Sequence, residues 1–311
     1  KHTGTEFSLG ELYINTGFKN EFSTFAKINY NINSFNLLAD IQYRYADFNY
    51  EGLVEMDGLS WHFFNPRIGL TYELKDKSHL YYSIGRTGRE PTRTDIFLGN
   101  DDLITDDLGN PLLGTTQAES VWDNELGYRK TSDKFQLDLN LFYMIFQNEI
   151  VLNGQFGPNG LPLNSSVAKS FRSGLELDFI YKTDFGIIAQ TVASYNHSRI
   201  MENGETFQPL LTPRFIFQEN VNYSFKDFSV GLTGRYQSKS YIDFANEYEL
   251  DNYFTLDFYL GYKYKFAEIN FRLNNLTNKR YFNNGQFDVY GTPTYHIQAP
   301  INFHTGIKFI F

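Results

Sequence analysis

The stretch that decides the fold runs from Phe135 to Ile145 and reads FQLDLNLFYMI. Every second residue from Phe135 onward is apolar, and the interleaved positions begin with Gln136, Asp138 and Asn140. Because successive side chains of a β-strand point to opposite faces, this pattern predicts one apolar face and one polar face. A helix would instead repeat its apolar positions every three to four residues. The stretch therefore predicts a β-strand between an apolar and a wet environment.

The same alternation returns elsewhere in the chain. It is clearest at residues 171–181, 253–264 and 268–273, where apolar side chains again take every second position. We find no convincing amphipathic helix, because no segment repeats its apolar residues at the helical period. The pattern predicts an all-β chain.

Short and long connections alternate between the predicted strands. Short polar turns fall near residues 31–34, 75–77, 131–134, 183–184, 226–227 and 266–267, and longer links rich in Gly, Asn and Pro cover roughly residues 49–63, 89–118, 148–168, 200–211, 242–250 and 277–300. Transmembrane β-barrels have short turns on the periplasmic side and long loops outside the cell. The sequence therefore predicts a transmembrane antiparallel β-barrel, with about thirteen strands of roughly ten residues each.

The strand count and the start of the chain suggest a fragment. An odd number of strands closes no ordinary bacterial barrel, so we expect further strands before the first residue. The chain begins with Lys1 and shows no secretion signal, although a protein of the outer membrane must be exported. We therefore expect residues 1–311 to form the C-terminal part of a larger barrel.

The composition agrees with a membrane wall and argues against other classes. The chain holds 31 Phe and 23 Tyr although its mean hydropathy is negative, which suits a sheet with one apolar and one wet face. It has no cysteine, and its net charge of −9 argues against a nucleic-acid partner, since phosphate binding requires a basic surface. No apolar run approaches the ~18 residues of a membrane helix, but barrel strands carry a much weaker signal.

A soluble β-sandwich would also alternate. Its apolar face is buried against a second sheet, and its strands average roughly five to six residues. The strands predicted here are about twice that length. They carry aromatic residues near their ends, as the interfacial girdles of a barrel do. Length and aromatic placement favour the membrane barrel.

The last strand carries a signal of its own. Apolar side chains alternate with polar or small ones from residue 303 to the terminal aromatic residue. This ending resembles the signal that the barrel-assembly machinery of outer membranes reads. The positions that match that pattern are His304, Gly306, Phe309 and Phe311. Any closing strand could look similar, but the lack of a polar tail favours the assembly signal.

Three segments resemble the TonB-dependent receptor family. FNPRIGLTYEL at 64–74, followed by LYYSIGRTGREPTRTDIF at 80–97, is similar to a hairpin in the middle of its barrel. DNELGYR at 123–129, with LDLNLFYMIFQNEIV after it, resembles the next hairpin. FRLNNLTNKRYF at 271–282 resembles the outer end of the penultimate strand, and residues 25–52 look like earlier barrel strands. The order and spacing of these segments carry the resemblance.

This resemblance implies a larger receptor that works with partner proteins. Members have a plug domain inside a 22-stranded barrel, and neither the plug nor its TonB-contacting segment is present in this sequence. The implied partners are the TonB–ExbB–ExbD complex, the barrel-assembly machinery, outer-membrane lipid or lipopolysaccharide, a small-molecule ligand such as a ferric siderophore and, in some members, a surface lipoprotein. The implied location is the outer membrane of a Gram-negative bacterium, with the C-terminus on the periplasmic side.

The resemblance implies active import of a scarce, bulky nutrient. A ferric siderophore is the leading expectation, with cobalamin or a glycan close behind. Two alternatives remain open on the residues alone: a passive substrate-selective porin, and a barrel that anchors a larger outer-membrane complex. An enzyme is not expected, because the six histidines show no metal-ligand spacing and no nucleophile or phosphate-binding motif is present. We expect no cofactor.

Charged residues on the polar face are candidates for contact with the plug. Charge on the lipid face is unfavourable, so these side chains are expected to point inward. Either these side chains form salt bridges with the plug that break during transport, or they form a solvated lining. The inward charges are Lys27, Asp40, Arg44, Arg67, Glu73, Asp138, Arg172, Glu176, Asp178, Arg235, Asp257, Glu268 and Arg272.

The segment REPTRTDIF places four more charges at the entrance of a long loop: Arg89, Glu90, Arg93 and Asp95. The family resemblance puts this region beside the plug and the ligand chamber. The residues alone favour a loop anchor, with Pro91 stiffening the exit from the strand.

Aromatic side chains in two long loops are candidates for ligand contact, because exposed rings can stack on siderophores, haem or corrin rings. They could equally pack the loops. These residues are Phe244, Tyr248, Tyr281, Phe282, Tyr290, Tyr295 and His296.

Overall fold

The computed structural model describes residues 2–6, 10–158, 160–288 and 290–310. Its elements are β1 (His2–Glu6), β2 (Gly10–Ile32), β3 (Phe35–Glu51), β4 (Leu59–Glu73), β5 (Ser78–Arg89), α1 (Arg93–Ile96), β6 (Glu119–Thr131), β7 (Phe135–Phe156), β8 (Pro162–Lys182), β9 (Ile187–Glu202), β10 (Glu205–Phe207), β11 (Phe215–Phe225), β12 (Phe228–Gln237), β13 (Ser240–Tyr241), β14 (Glu249–Leu250), β15 (Tyr253–Tyr264), β16 (Ala267–Asn274), β17 (Phe282–Phe287), β18 (Pro293–Ile297) and β19 (Asn302–Phe309).

Fourteen of these strands follow one another in a single antiparallel sheet. Its order is β1-β2-β3-β4-β5-β6-β7-β8-β9-β11-β12-β15-β16-β19, with β10 paired to β9, and two small hairpins, β13-β14 and β17-β18, lie outside it. The all-β antiparallel architecture predicted from the alternation is confirmed. Within the described ranges, no helix is long and apolar enough to cross a membrane.

The strand registers place like side chains on a common face. Lys27 lies opposite Asp40, which lies opposite Arg67, so charged residues of β2, β3 and β4 share one face. The other face carries aromatic and aliphatic side chains, such as the stacked rings of Phe228 and Tyr262, whose centroids are 4.6 Å apart. We call these the polar face and the apolar face. The charged strand residues predicted to point inward share the polar face.

The two ends of the sheet differ in their connections. At one end neighbouring strands are joined by tight turns, in which Asn33, Lys226 and Lys265 adopt left-handed backbone conformations with φ between 44° and 50°. At the other end lie the long connections. We call these the turn end and the loop end.

The main buried core lies at the loop end rather than within the sheet. Phe97 is 1% exposed and packs edge-on against Phe48 and Tyr50 of β3, at 6.1 and 5.0 Å between ring centroids. Trp61 of β4 donates a hydrogen bond to the carbonyl of Thr116 at 2.8 Å. The connection between β5 and β6 is thus an ordered cap packed on the strands. The full cluster is Ala46, Phe48, Tyr50, Trp61, Phe63, Ile96, Phe97 and Leu103.

Most of the predicted loops are partly β-structure, including 200–211, which contains β10, and 242–250, which contains β14. Strands β7 and β8 continue as a hairpin through most of the predicted loop 148–168, β3 and β4 reach into 49–63, and 277–300 contains the β17-β18 hairpin. The predicted boundaries were wrong because main-chain pairing continues into the predicted loops. Alternation is not required there, so polar residues occupy both faces. The helical structure of the described residues is limited to the single turn α1, in agreement with the prediction of no amphipathic helix.

Not every charged strand residue lies on the polar face: the registers pair Arg86 with Trp122 and Arg199 with Phe171 on the apolar face, and Glu219 lies there as well. Glu219 of β11 is paired in register with Thr191 and Gly234, whereas its neighbours Gln218 and Asn220 bond to side chains of the polar face. Glu219 therefore belongs to the apolar face. Glu219 is not among the charges predicted to point inward, and Thr191 Oγ1 donates a local hydrogen bond to it at 2.6 Å.

Candidate functional site

A group of charges centred on Glu90 joins the polar face to the connection between β5 and β6. The side chain of Glu90 is 9% exposed and accepts hydrogen bonds from Lys19 Nζ at 2.6 Å and from both terminal nitrogens of Arg44. Arg44 also lies 3.5 Å from Glu21 and 4.4 Å above the ring of Phe63. Burial raises the pKa of Glu90, but the hydrogen bonds from Arg44 and Lys19 outweigh it and lower the pKa to about 2. Glu90 is a charged anchor between the sheet and the connection from β5 to β6, which we call the outer connection.

The single-turn helix α1 fixes the next part of this connection. Thr92 is its N-cap, and Asp95 Oδ2 accepts bonds from the backbone N and the hydroxyl of Thr92 at 2.8 and 2.7 Å. Asp95 Oδ1 accepts a further bond from Asn164 of β8 at 2.8 Å. Arg93 donates to Asn15 of β2 at 3.0 Å. The side chains of Arg93 and Asp95 are therefore used in packing the connection against β2 and β8.

Two more ion pairs hold the loop end together. Arg89 bonds both carboxylate oxygens of Glu119 at 3.1 and 3.2 Å, and Glu119 accepts the backbone N–H of Ile150 at 2.7 Å. Glu149, which is 3% exposed, pairs with Arg172. The four charges of the REPTRTDIF segment thus form hydrogen bonds and ion pairs at the loop end.

Deeper in the sheet, the polar face carries a chain of cross-strand pairs. Arg235 of β12 lies 3.2 Å from Asp257 of β15, and Arg129 of β6 lies 2.6 Å from Asp138 of β7. Among the remaining candidates, Asp178 accepts a bond from Gln190, Arg272 lies 5.6 Å above the ring of Tyr259, and Glu176 faces Asn140 across the β7-β8 pair. These contacts satisfy part of the charge on the polar face.

Some acceptors on this face have no partner in the described part of the chain. Asn65 Oδ1 and Asp123 Oδ1 are buried without a hydrogen bond. Buried acceptors are normally satisfied, so these two oxygens are exceptions on the polar face. Sequence reasoning missed Asp123 and its neighbour Glu125, although the alternation of DNELGYR puts both on one face.

A cavity of about 890 Å³ opens on the polar face near the turn end. Arg67, Glu125 and Arg129 line it together with His79 and Tyr81. Arg67, a candidate for plug contact, lies here, and it forms no ion pair with any described residue.

A second cavity, which we call the loop cavity, lies at the loop end and measures about 470 Å³. Three connections contribute to it: the β7-β8 turn, the link between β12 and β15, and the tip of the β17-β18 hairpin. Tyr248 packs edge-on against Phe287 at 5.1 Å, and Phe244 lies 5.5 Å from Phe207. Its lining is Asn153, Gly154, Gln155, Phe156, Asp243, Phe244, Ala245, Glu247, Tyr248, Phe287, Asp288 and Gly291.

Of the aromatic candidates for ligand contact, Phe244 and Tyr248 line the loop cavity. Tyr281 stacks on Tyr253 at 4.2 Å, where it packs the outer end of β15. The others belong to the β17-β18 hairpin: Phe282 and Tyr295 pack together at 5.4 Å, His296 pairs with Asn284, and Tyr290 is 89% exposed near the tip.

The loop cavity also contains residues that sequence reasoning missed. Phe156 and Phe287 supply rings, and Asp243 and Asp288 supply carboxylates. Each aspartate precedes a stretch that turns back on itself, but only the fold shows that these turns meet. Within the described residues, no group of three or more His, Asp and Glu side chains is placed to hold a metal ion.

The C-terminal strand β19 pairs with β16 at the edge of the sheet. His304 lies opposite Arg272 and Gly306 opposite Asn270. A Cβ at Gly306 would lie 3.0 Å from the amide of Asn270, so a larger residue would press on that side chain. Phe309 lies opposite Ala267, beside the tight β15-β16 turn, and Phe311 lies outside the described residues. The assembly signal itself stays a prediction.

The fold is shared with solved structures of a transporter and of several receptors. The copper transporter OprC matches 99% of this chain with a TM-score of 0.79 at 12% identity, and the match covers 52% of that chain. The ferric yersiniabactin uptake receptor FyuA from Yersinia pestis matches 97% at TM-score 0.70 and 16% identity, covering 47% of that chain. The siderophore receptor PiuA from Acinetobacter baumannii matches 94% at TM-score 0.70 and 16% identity, covering 43% of that chain. This chain spans about half the length of the structures it matches.

A search of curated protein sequences found no match. The family model described as "TonB dependent receptor-like, beta-barrel" matches residues 4–276, which is most of the chain. Its fold, with one polar and one apolar face, agrees with the structures of that family, whose barrels lie in the outer membrane of Gram-negative bacteria. The chain belongs to the TonB-dependent receptor family, and it contributes β-barrel to the receptor.

Proposed function

We propose that this chain is the C-terminal part of the barrel of an outer-membrane receptor that imports a scarce, bulky nutrient. The observation that carries the proposal is the two-faced sheet, in which cross-strand ion pairs such as Arg235–Asp257 line the polar side. Such a lining fits a barrel that encloses a polar body rather than one packed with its own side chains. The match to about half the length of the solved receptors supports the assignment to one part of a larger protein.

The polar body in this proposal is a plug domain. The orphan acceptors Asn65 Oδ1 and Asp123 Oδ1 support it, because a plug side chain could donate to them. Arg67, Glu176 and Arg272 are further candidates for plug contact. The TonB–ExbB–ExbD complex would move the plug by using the proton gradient of the inner membrane.

The same fold supports a proposed orientation of the chain in the membrane. Phe309 lies opposite Ala267, directly after a tight turn, so β19 ends at the turn end of the sheet. Tight turns of outer-membrane barrels face the periplasm. We therefore place the C-terminus on the periplasmic side and the loop cavity outside the cell. Lipopolysaccharide, a surface lipoprotein and the barrel-assembly machinery are partners that this orientation accommodates.

The proposed cargo is a ferric siderophore. Two of the matched structures are named for ferric yersiniabactin uptake and as a siderophore receptor, and another is named a copper transporter. The loop cavity, with rings from three connections, has a volume within the roughly 300–1,000 Å³ of ligand sites. Cobalamin and a glycan are the alternatives.

The test is uptake by the full receptor in a host that lacks its own iron receptors, with TonB present or deleted. A panel of radiolabelled ferric siderophores, cobalamin and oligosaccharides is supplied at nanomolar concentration. We expect saturable uptake of one ferric complex that disappears when TonB is deleted. Uptake that is independent of TonB and rises linearly with concentration would show a passive porin instead and would overturn the proposal.

A further inference from the structure

The lining of the loop cavity is negatively charged. Its described residues include Asp243, Glu247 and Asp288 but no Lys, Arg or His. The three carboxylates come from two connections, so the fold brings together charges that are about forty residues apart in sequence. An anion entering this cavity would meet repulsion and no cationic partner.

Backbone amides hold these carboxylates without neutralising them. Asp243, which is 8% exposed, accepts the backbone N–H groups of Glu247 and Tyr248 at 3.0 and 2.8 Å. Asp288 accepts those of Tyr290 and Thr292 at 2.9 and 2.8 Å. Both aspartates stabilise turns, and neither forms an ion pair with a described residue. The exposed side chain of Glu247 adds a charge that is not used in a turn.

The same lining is rich in aromatic rings. Phe156, Phe244, Tyr248 and Phe287 belong to it, and Tyr248 meets Phe287 edge-on at 5.1 Å. Ring faces attract cations through their quadrupole, and the attraction grows when water is excluded. Rings and carboxylates together favour a positive group, whereas either one alone would be less selective.

The basic side chains closest in sequence lie outside this lining. Lys239 pairs with Glu249 at 2.7 Å and lines, with Arg214, a separate cavity of about 350 Å³. These two cations line that separate cavity and not the loop cavity.

We propose that the loop cavity binds a positively charged group of the imported ligand, so that the receptor prefers a cationic, amine-bearing metal complex over a polyanionic one. This inference rests on the proposed import function and names the class of cargo within it. The negative lining excludes highly charged anionic complexes, and the rings contact the ammonium group and its alkyl neighbours.

The experiment compares three forms of one ferric trihydroxamate: with a free ammonium group, with that group N-acetylated and neutral, and with it N-succinylated and anionic. Binding to the full receptor in detergent is measured by equilibrium dialysis of radioactive iron. We expect the ammonium form to bind about tenfold more tightly than the succinylated form, because three uncompensated charges each contribute modestly.

Two variants test whether Glu247 contributes to this order. Glu247→Lys adds a cation to the lining and should weaken the preference for the ammonium form over the succinylated form. Glu249→Gln removes a carboxylate of the same connection that lies outside the lining, and should leave the order unchanged.

Equal affinity for all three forms, tighter binding of the succinylated form, or no saturable binding of any form would overturn this inference. TonB-dependent uptake is measured separately in cells. If uptake depends on TonB but the three forms bind with equal affinity, the import function stands and only the charge preference fails. If uptake is unchanged when TonB is deleted, the proposed import function fails, whatever the order of the three affinities.

Discussion

Glu219 of β11 and Thr191 of β9 form a 2.6 Å hydrogen bond on the apolar face of the sheet, beside Gly234 of β12. Glu219 lies near the middle of its strand, between aromatic residues at positions 215 and 225. In a membrane this is the least favourable depth for charge, so the carboxyl group depends on the hydrogen bond from Thr191.

Replacing Glu219 with Lys should destabilise the folded barrel by about 2 kcal/mol, because a lipid-facing cation near the midplane is unfavourable by roughly 2–4 kcal/mol. Urea unfolding of the receptor in lipid vesicles measures the change. Glu219→Gln, which keeps the hydrogen-bonding shape without a charge, is the matched control and should change stability little. Equal stability of the Lys and Gln variants would mean that this side chain contacts water.

The charge on Glu90 should hold the outer connection in place over most of the pH range. Hydrogen bonds from Arg44 and Lys19 lower its pKa from 4.5 to about 2 against the opposing effect of burial. Because the folded pKa is the lower one, its stabilising contribution is complete above pH 4.5 and is lost as the pH falls toward 2. The emission of Trp61, whose indole bonds to Thr116 in the connection, reports this docking.

The measurement is the difference in fluorescence between the receptor and its Trp61→Phe variant from pH 6 down to about pH 2. The signal should change at the low end of this range. In Glu90→Gln the change should be absent, because no carboxyl group titrates there. A transition that persists unchanged in Glu90→Gln would assign it to another group.

The start of the outer connection should depend on Asp95. Asp95→Ala removes the capping box with Thr92 and the bond from Asn164, and losing an N-terminal cap contributes about 1 kcal/mol of instability. Limited proteolysis within residues 98–110 should then be about fivefold faster. Asp107→Ala, at an exposed position of the same connection, should leave the rate unchanged. Equal rates in both variants would show that α1 does not anchor the connection.

Much of the fold could be predicted because the membrane imposes a simple rule. In β15 the alternation of Phe254, Leu256 and Phe258 with Thr255 and Asp257 appears directly in the sequence, and the structure confirms the antiparallel strands. The rule ends where the strands leave the lipid. The hairpin extension of β7 and β8 was therefore predicted as a loop.

The candidate site was harder to predict, since it depends on contacts between distant segments. Phe244 and Tyr248 were identified as aromatic loop residues, but their meeting with Phe287 depends on how two connections fold over each other. The bond between Glu90 and Arg44 likewise joins residues 46 positions apart. Sequence periodicity describes neighbours along one strand and contains no information on such pairs.

The most direct test of the two-faced barrel uses single cysteines along β15, since the sequence contains no native cysteine. A nitroxide spin label is attached in turn at positions 254 to 260 of the receptor in lipid vesicles, and its collision rates with oxygen and with a water-soluble nickel complex are measured. Our account predicts that oxygen access peaks at Phe254, Leu256, Phe258 and Leu260 and is low at the residues between them. Equal access to the nickel complex at both sets would contradict it, because the apolar face would then lie in water.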